Sequence, residues 1–336
     1  MHSIAPGKII LCGEHAVVYA SPALVMAVNR HAHCRIQSND DNIHLSLKDL
    51  DVHFSVQVKD LAKVTSHIRQ RFDSFLKNKV PIRNVLQNPQ DLYLLALDTF
   101  HQHHGLKSGL DLEIYSDLMI GSGMGSSAAT LASLYHALYT TFDLSVELDD
   151  IYALTLETEH FQHGNPSGID PYIATFGGFI RFEDRKPVDL DILPPKFHLI
   201  YTGSPSSTTG ECVMAVKKFS NSDIWQSFTD TTNLFEHAIK SRQYRLLIKA
   251  VKDNHRLLDE IGVVPARINK FISNIEHKGG AAKISGAGCI KGPHAGLVIA
   301  FMDTDPQELC HEFGYQFITI TGEPHGVRTA CRNCTG

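Results

Sequence analysis

The 336 residues are 43% hydrophobic and 20% charged, a composition that folds throughout and is too long for one compact core, so two packed domains are expected. A formal net charge of -5 provides no basic field to gather nucleic acid or an anionic membrane surface, and no apolar run approaches the roughly 20 residues of a bilayer span. Seven cysteines, odd in number and irregularly spaced, follow an opening Met1-His2-Ser3-Ile4-Ala5-Pro6 that has no basic-then-apolar leader pattern; both features point to a reduced, cytoplasmic protein.

In chain order, Lys8 to Cys12 reads as a strand, Gly13-Glu14-His15 as a tight turn, and Ala16-Val17-Val18-Tyr19 as a second strand. Two-residue alternation continues through His31 to Ile36 and Ile43 to Leu47. Residues 59 to 78 and 88 to 104 carry apolar positions three and four apart and predict helices, the second including Leu92, Leu95, Ala96 and Thr99. His101, His103 and His104 lack a nearby Cys or carboxylate set and read as a solvated loop rather than a metal site.

Leu110 to Tyr115 alternates again and leads into Gly121-Ser122-Gly123-Met124-Gly125-Ser126-Ser127, after which Ala128 to Phe142 is apolar and free of breakers: strand, glycine-rich loop, helix. A helix follows over about 147 to 162 and breaks at Gly164-Asn165-Pro166, and Phe176 to Glu183 predicts a strand. Pro194-Pro195 suggests a boundary, giving domains 1–190 and 191–336. The second half predicts a strand at His198 to Tyr201, helices near 211–219, 224–241, 242–260 and 265–277, and two closing strands separated by Pro306 to Phe313. The fold class is therefore α+β. Cys331 and Cys334 form one CxxC, half of a four-ligand zinc set, so zinc is not expected there.

The glycine loop carries the chemistry. Glycine lets backbone approach a triphosphate closely, and the following helix offers unpaired amides and the positive end of its dipole. Ser126 and Ser127 fall at the first helical positions, where a hydroxyl caps the helix or reaches a magnesium ion. Neither GxxxxGK[ST] nor GxGxxG fits the spacing, which disfavours the two commonest nucleotide folds.

Ile120 to Ala129 resembles the phosphate loop of the GHMP kinase superfamily of galactokinase, homoserine kinase, mevalonate kinase and phosphomevalonate kinase. Ala5-Pro6-Gly7-Lys8 through Gly13-Glu14-His15-Ala16-Val17-Val18-Tyr19 looks like the opening of the mevalonate kinase branch, and His163-Gly164-Asn165-Pro166-Ser167-Gly168-Ile169-Asp170 is similar to its substrate-side motif. The likeness runs on through Thr202 to Thr209 and Lys283-Ile284-Ser285-Gly286-Ala287-Gly288. Cys289-Ile290-Lys291-Gly292-Pro293 replaces the family's further glycines, Met119 stands where proline is common, and Asp49 where asparagine often touches the adenosine.

This resemblance implies a ribosomal-S5-like N-terminal domain with a left-handed βαβ crossover and a ferredoxin-like C-terminal domain, with ATP and Mg2+ bound between them. It implies mevalonate as the small-molecule substrate, with phosphomevalonate or another superfamily acceptor as the alternative and, outside enzymes, a catalytically silent ligand sensor, and leans toward a homodimer, since the family includes dimers. Gly121, Ser122, Gly123, Met124, Gly125, Ser126, Ser127 and Ser116 are then the nucleotide contacts. Ser127 is the expected magnesium hydroxyl, with a carboxylate from the helix before the His163 motif. Glu157 and Glu159 point about 200° apart on that helix; Glu159 shares a stripe with Leu148, Tyr152 and Thr155 and is the one the resemblance selects, leaving Glu157 to solvent. Asp170, after a Pro-Ser-Gly turn, suits the base that takes the hydroxyl proton, and Lys8 is carried over as its partner. Glu14, His15 and, more weakly, Thr208 are the expected substrate contacts, although threonine-rich turns also cap helices.

Overall fold

The computed structural model describes residues 1–119, 121–192 and 196–331. Ile120, the Pro194-Pro195 boundary and Cys334 of the CxxC lie outside the described residues. Two sheets organise the chain. The first begins with β1 (His2–Cys12), β2 (Ala23–Asn39), β3 (Asn42–Leu47) and β4 (Val52–Gln57), followed by helices α1 (Leu61–Leu76) and α2 (Asp91–His104) and strand β5 (Gly109–Ser116). Next come α3 (Ser126–Thr141), α4 (Leu148–His163), α5 (Ile169–Phe176), β6 (Phe179–Glu183) and β7 (Lys186–Asp189). The strand order is β1-β2-β5-β3-β4, with β6 beside β2, β7 beside β6, and the closing strand β12 (Arg328–Thr329) on the outer side of β1. All pairs are antiparallel except β3 with β5, which is reached through β4, α1 and α2.

The second sheet has the antiparallel order β11-β8-β10-β9, built from β8 (His198–Tyr201), β9 (Ala281–Ser285), β10 (Leu297–Phe301) and β11 (Gln316–Ile318). Helices α6 (Thr209–Val216), α7 (Ile224–Lys240), α8 (Tyr244–Glu260), α9 (Ala266–His277) and α10 (Gln307–Phe313) accompany it. The chain then returns to the first sheet: Gly322 bridges Val28, and β12 (Arg328–Thr329) pairs with β1. Among the described residues no helix is long and apolar enough to cross a membrane.

The two-residue period of β2 explains how the fold seats its site. Leu24, Met26 and Val28 enter the main core, whereas Ala23, Val25 and Ala27 pack with Ile169 and Ile173 of α5. Strand alternation therefore gives α5, and with it Asp170, its own apolar seat on β2, while Ala174 of α5 joins the main core with α3. Helix α3 is buried from Ala128 through Tyr139, as a central helix must be when apolar all round. The main core runs on into the second sheet through Leu199, Leu297, Ile299 and Phe301, while Val298 and Ala300 face a second cluster with Phe228 and Phe271.

Several expectations change. Ala16–Tyr19 is a single 3-10 turn rather than a strand, with Val18 N–H donating to His15 O at 3.2 Å; the local bend at His15 overrides the β-branched pair. The histidine cluster is the last turn of α2, not a loop, because His101 Nδ1 accepts the Leu106 N–H at 2.9 Å and His104 Nε2 lies 2.9 Å from the Tyr139 hydroxyl. Phe176 ends α5, and the following strand starts only at Phe179. Leu148, placed on the inward stripe of α4, is exposed at the helix start, although Thr155 and Glu159 are buried. The sequence pattern also missed β4, although its burial alternates, the helix α5, and β7, β9 and β12, which are short or buried on both faces.

Helices α1 and α2 are tied by a buried carboxylate. Asp98, 1% exposed, accepts from Arg69 Nη2 at 2.8 Å, Arg69 Nε at 3.1 Å and Thr65 Oγ1 at 2.9 Å. Removing the guanidinium leaves an uncompensated charge in the interior, so Arg69→Met should cost about 3 kcal/mol. Urea unfolding checks this, and a loss within error of zero would contradict it.

Candidate active site

Met124, Gly125, Ser126 and Ser127 reach a cleft of about 610 Å³ that is also lined by Asp49, Ser116, Gly121, Gly123, His163 and Asp170. A larger hollow of about 1050 Å³ opens by His2, Arg35, His44 and His53 on the first sheet and shares no lining residue with the loop. Its walls hold no phosphate-binding helix end, so size alone does not choose the site. Gly121, Gly123 and Gly125 have φ of 72°, 87° and 71°, a left-handed region that favours glycine. That backbone carries the loop into α3, where Gly125 is the N-cap.

The loop is stitched to β1 at the residue that supplies the cation. The Lys8 N–H donates to Met124 O at 2.9 Å, while Lys8 Nζ stands 3.2 Å from Asp170 Oδ1. A Cβ on Gly7 would meet the Met124 carbonyl at 3.0 Å and Leu118 Cδ2 at 2.3 Å, and one on Gly125 would sit 3.2 Å from Lys8 Cγ and 3.4 Å from Asp170 Cγ. Asp170 occupies the first turn of α5, whose N-cap is Gly168, so a helix dipole and an ammonium both bring positive charge to the carboxylate.

Glu159 is 2% exposed; its Oε1 accepts from Ser127 Oγ at 2.6 Å and lies 3.7 Å from His163 Nε2. Glu157 is exposed, with His103 at 3.8 Å. Burial pulls the His163 imidazole down, but hydrogen bonding and charge from Glu159, with Asp170 beyond, outweigh it and hold the group above its usual pKa.

Other expected contacts are placed differently. Ser122 is buried, its hydroxyl donating to Met119 O at 2.7 Å, and it does not line the cleft. Ser116 does line it; its N–H donates to Asp49 Oδ2 at 2.8 Å. Thr208 caps α6 in a capping box with Glu211, its Oγ1 accepting from Glu211 N–H at 3.2 Å, and Thr209 rather than Thr208 lines the cleft. Glu14 and His15 are buried beside the second sheet: Glu14 pairs with Lys283 Nζ, and His15 Nε2 lies 2.9 Å from Ala287 O. Burial pushes the Glu14 carboxyl up against the pull of Lys283, and burial lowers His15. Cys289, in the segment that departs from the family glycines, is buried near Ser207, and Gly286 lies next to Gly123, a Cβ on either coming about 4 Å from the other's Cα.

Sequence reasoning missed Lys283, His163 and Arg83 as site residues. His163 stands four residues after Glu159 on one helix face, a readable signal. Lys283 interrupts an otherwise apolar strand, a weaker one, and Arg83, which lines the cleft, carries none.

A helix end exposed to a cleft, a glycine loop over it and a lysine–aspartate pair beside it define a phosphotransferase site. Residues 91–178 match the family described as the GHMP kinases N terminal domain. A mevalonate kinase from Archaeoglobus fulgidus is 30% identical over 296 residues, 87% of this chain and 92% of that protein. The crystal structure of the Methanococcus jannaschii mevalonate kinase superposes with a TM-score of 0.80 at 23% identity, covering 96% of this chain and 98% of that one. The L. major mevalonate kinase in complex with R-mevalonate gives 0.71 at 21%, covering 97% of both chains. The chain belongs to the GHMP kinases and, within them, to the mevalonate kinase family.

Gly125→Ala forces a side chain into left-handed backbone, at about 1–2 kcal/mol, and presses on Lys8 and Asp170. Turnover should fall at least about tenfold while the far-ultraviolet dichroism stays unchanged. Wild-type rates in the alanine protein would show that the loop does not constrain the pair.

Proposed function

We propose that the chain transfers the γ-phosphoryl group of ATP to the C5 hydroxyl of mevalonate, giving 5-phosphomevalonate, a step of isoprenoid biosynthesis. The observation that carries the chemistry is the 3.2 Å Lys8–Asp170 pair beside the glycine loop; the acceptor follows from the relatives' names. Asp170 accepts the hydroxyl proton as the alcohol oxygen bonds to the γ-phosphorus and the bond to the β-γ bridging oxygen breaks, releasing ADP. Lys8 offsets negative charge as it builds on the transferring group. Loop amides from Gly121 to Ser127 and the α3 dipole hold the phosphates, with Ser116 on the nucleotide side.

Ser127 and Glu159 fit magnesium: both offer hard oxygen donors, and the Glu159 carboxylate is held at 2.6 Å from the Ser127 hydroxyl in a nearly closed position. These two residues would hold the ion, which when bound neutralises charge on the β- and γ-phosphates. Glu14 and His15 are the acceptor-side contacts in this reading. Thr208 enters only if its cap opens.

Among the described cleft-lining residues the cations are Arg83 and His163, with Lys8 behind the loop. That is a small complement for an acceptor already carrying a phosphate, which supports an unphosphorylated alcohol. The reading takes residues 1–190 and 191–336 as two lobes, the tail of the second returning to β1, and sets the enzyme in the cytoplasm with two water-soluble substrates.

ADP release measured across mevalonate, phosphomevalonate, galactose and homoserine should show kcat/KM for mevalonate at least about 100-fold above the others. Preference for another alcohol would reject the acceptor while keeping the kinase. Asp170→Asn should fold normally and lose at least about 100-fold in kcat; near wild-type turnover would remove Asp170 as the base.

A further inference from the structure

The turn after β1 is strained. His15 sits at φ 60° and ψ -44°, and across it the Ala16 N–H donates to Glu14 O at 2.6 Å. This is a γ-turn of the rare hand, which persists only where its surroundings hold it. The holding groups come from the other sheet. Lys283, Ser285 and Ala287 follow at two-residue intervals, so β9 and its continuation turn one edge of contacts toward β1. Lys283 Nζ pairs with Glu14, the two side chains being 0% and 1% exposed. Ser285 Oγ accepts the Ile10 N–H at 3.1 Å and donates to Ile10 O at 2.9 Å. His15 Nε2 lies 2.9 Å from Ala287 O.

After these contacts two buried polar atoms on consecutive residues are left without a protein partner, Glu14 Oε2 and His15 Nδ1. Buried polar atoms are ordinarily paired; both of these accept, since His15 Nε2 donates to Ala287 O, and an acceptor hydroxyl that donates its proton would complete this couple. We infer that Lys283 is a positioning residue for the acceptor: through Glu14 it pins the γ-turn that presents Glu14 Oε2 and His15 Nδ1, and it does so without touching the substrate. The inference rests on the acceptor-side reading of Glu14 and His15 given above. The nucleotide side has its own anchor, the Lys8 N–H to Met124 O bond at 2.9 Å, so loosening the turn should be felt by one substrate and not the other.

The test is steady-state kinetics with mevalonate and ATP on wild type, Lys283→Met, Lys283→Gln, Glu14→Gln and the Glu14→Gln/Lys283→Met double variant. Lys283→Met should raise the acceptor KM about tenfold or more and leave the ATP KM within about twofold, a split that a general loss of stability does not produce. Lys283→Gln, which keeps a donor toward Glu14, should recover part of the loss. The double variant's penalty should fall short of the product of the two single penalties, because both changes act on one contact. An unchanged acceptor KM in folded Lys283→Met, an equal rise in both KM values, or multiplicative penalties would each overturn the inference. Should Lys283→Met not fold, the same cycle run with Lys283→Gln decides by the same criteria. Wild-type turnover of mevalonate tests the proposed function separately; the ratio of variant to wild type tests Lys283 with whichever alcohol the wild type phosphorylates.

Discussion

One residue ties the chemistry together. Lys8 uses its backbone to fasten the glycine loop, through Met124 O, and its side chain to meet Asp170 at 3.2 Å. Because both bonds originate on β1, the position of the phosphate loop and that of the carboxylate share one reference. An amine and an acid on separate flexible loops would have to be brought together in each turnover, whereas here rigid strands and helix ends hold them in advance, which is where positioning catalysis gains most. Gly7 and Gly125 belong to the same constraint, since a side chain at either would collide with the loop carbonyl or crowd the pair.

Around that reference two helices aim their N-terminal ends at the cleft. Helix α3 is held by burial on all sides, and α5 by Ile169 and Ile173 against alternate residues of β2. Such ends gather anionic groups without long side chains to order, consistent with a cleft whose lining includes few cations. The second sheet adds a different element: β9 lies against the turn after β1, and the Glu14–Lys283 pair there is closed to solvent. A buried pair of this kind does little for net stability, but it penalises arrangements in which the partners separate, so it specifies how the second sheet meets the first.

Much of this was readable. Most helices lie within a few residues of the apolar periodicity; the loop and Glu159 stood out because glycine spacing and helix stripes are local properties, and Asp170 because of the Pro-Ser-Gly turn and the motif around it, although α5 itself did not. The failures have a common cause. Ala16–Tyr19 has the composition of a strand, yet the γ-turn at His15 bends it into a 3-10 turn; the residues that bend contacts, Lys283 and Ala287, are far away in sequence. Ser122 and Thr208 carry the hydroxyls expected of ligand contacts, but nearby backbone captures them, Met119 O in one case and the start of α6 in the other. Leu148 fell on the correct stripe and is still exposed, because the first turn of α4 extends past the surface it covers.

The sequence by itself determined the class of chemistry and pointed to the residues proposed here as acid, amine and magnesium ligands, since those follow from residue types at short spacings and from a resemblance borne by contiguous motifs. Only the tertiary structure decided that Lys283 meets Glu14 from 269 residues away, that His15 is strained, and that Arg83 lines the cleft. Partners so distant in sequence leave no local period or spacing to read; they become neighbours only when the two sheets are packed and a buried charge must find its counter-charge.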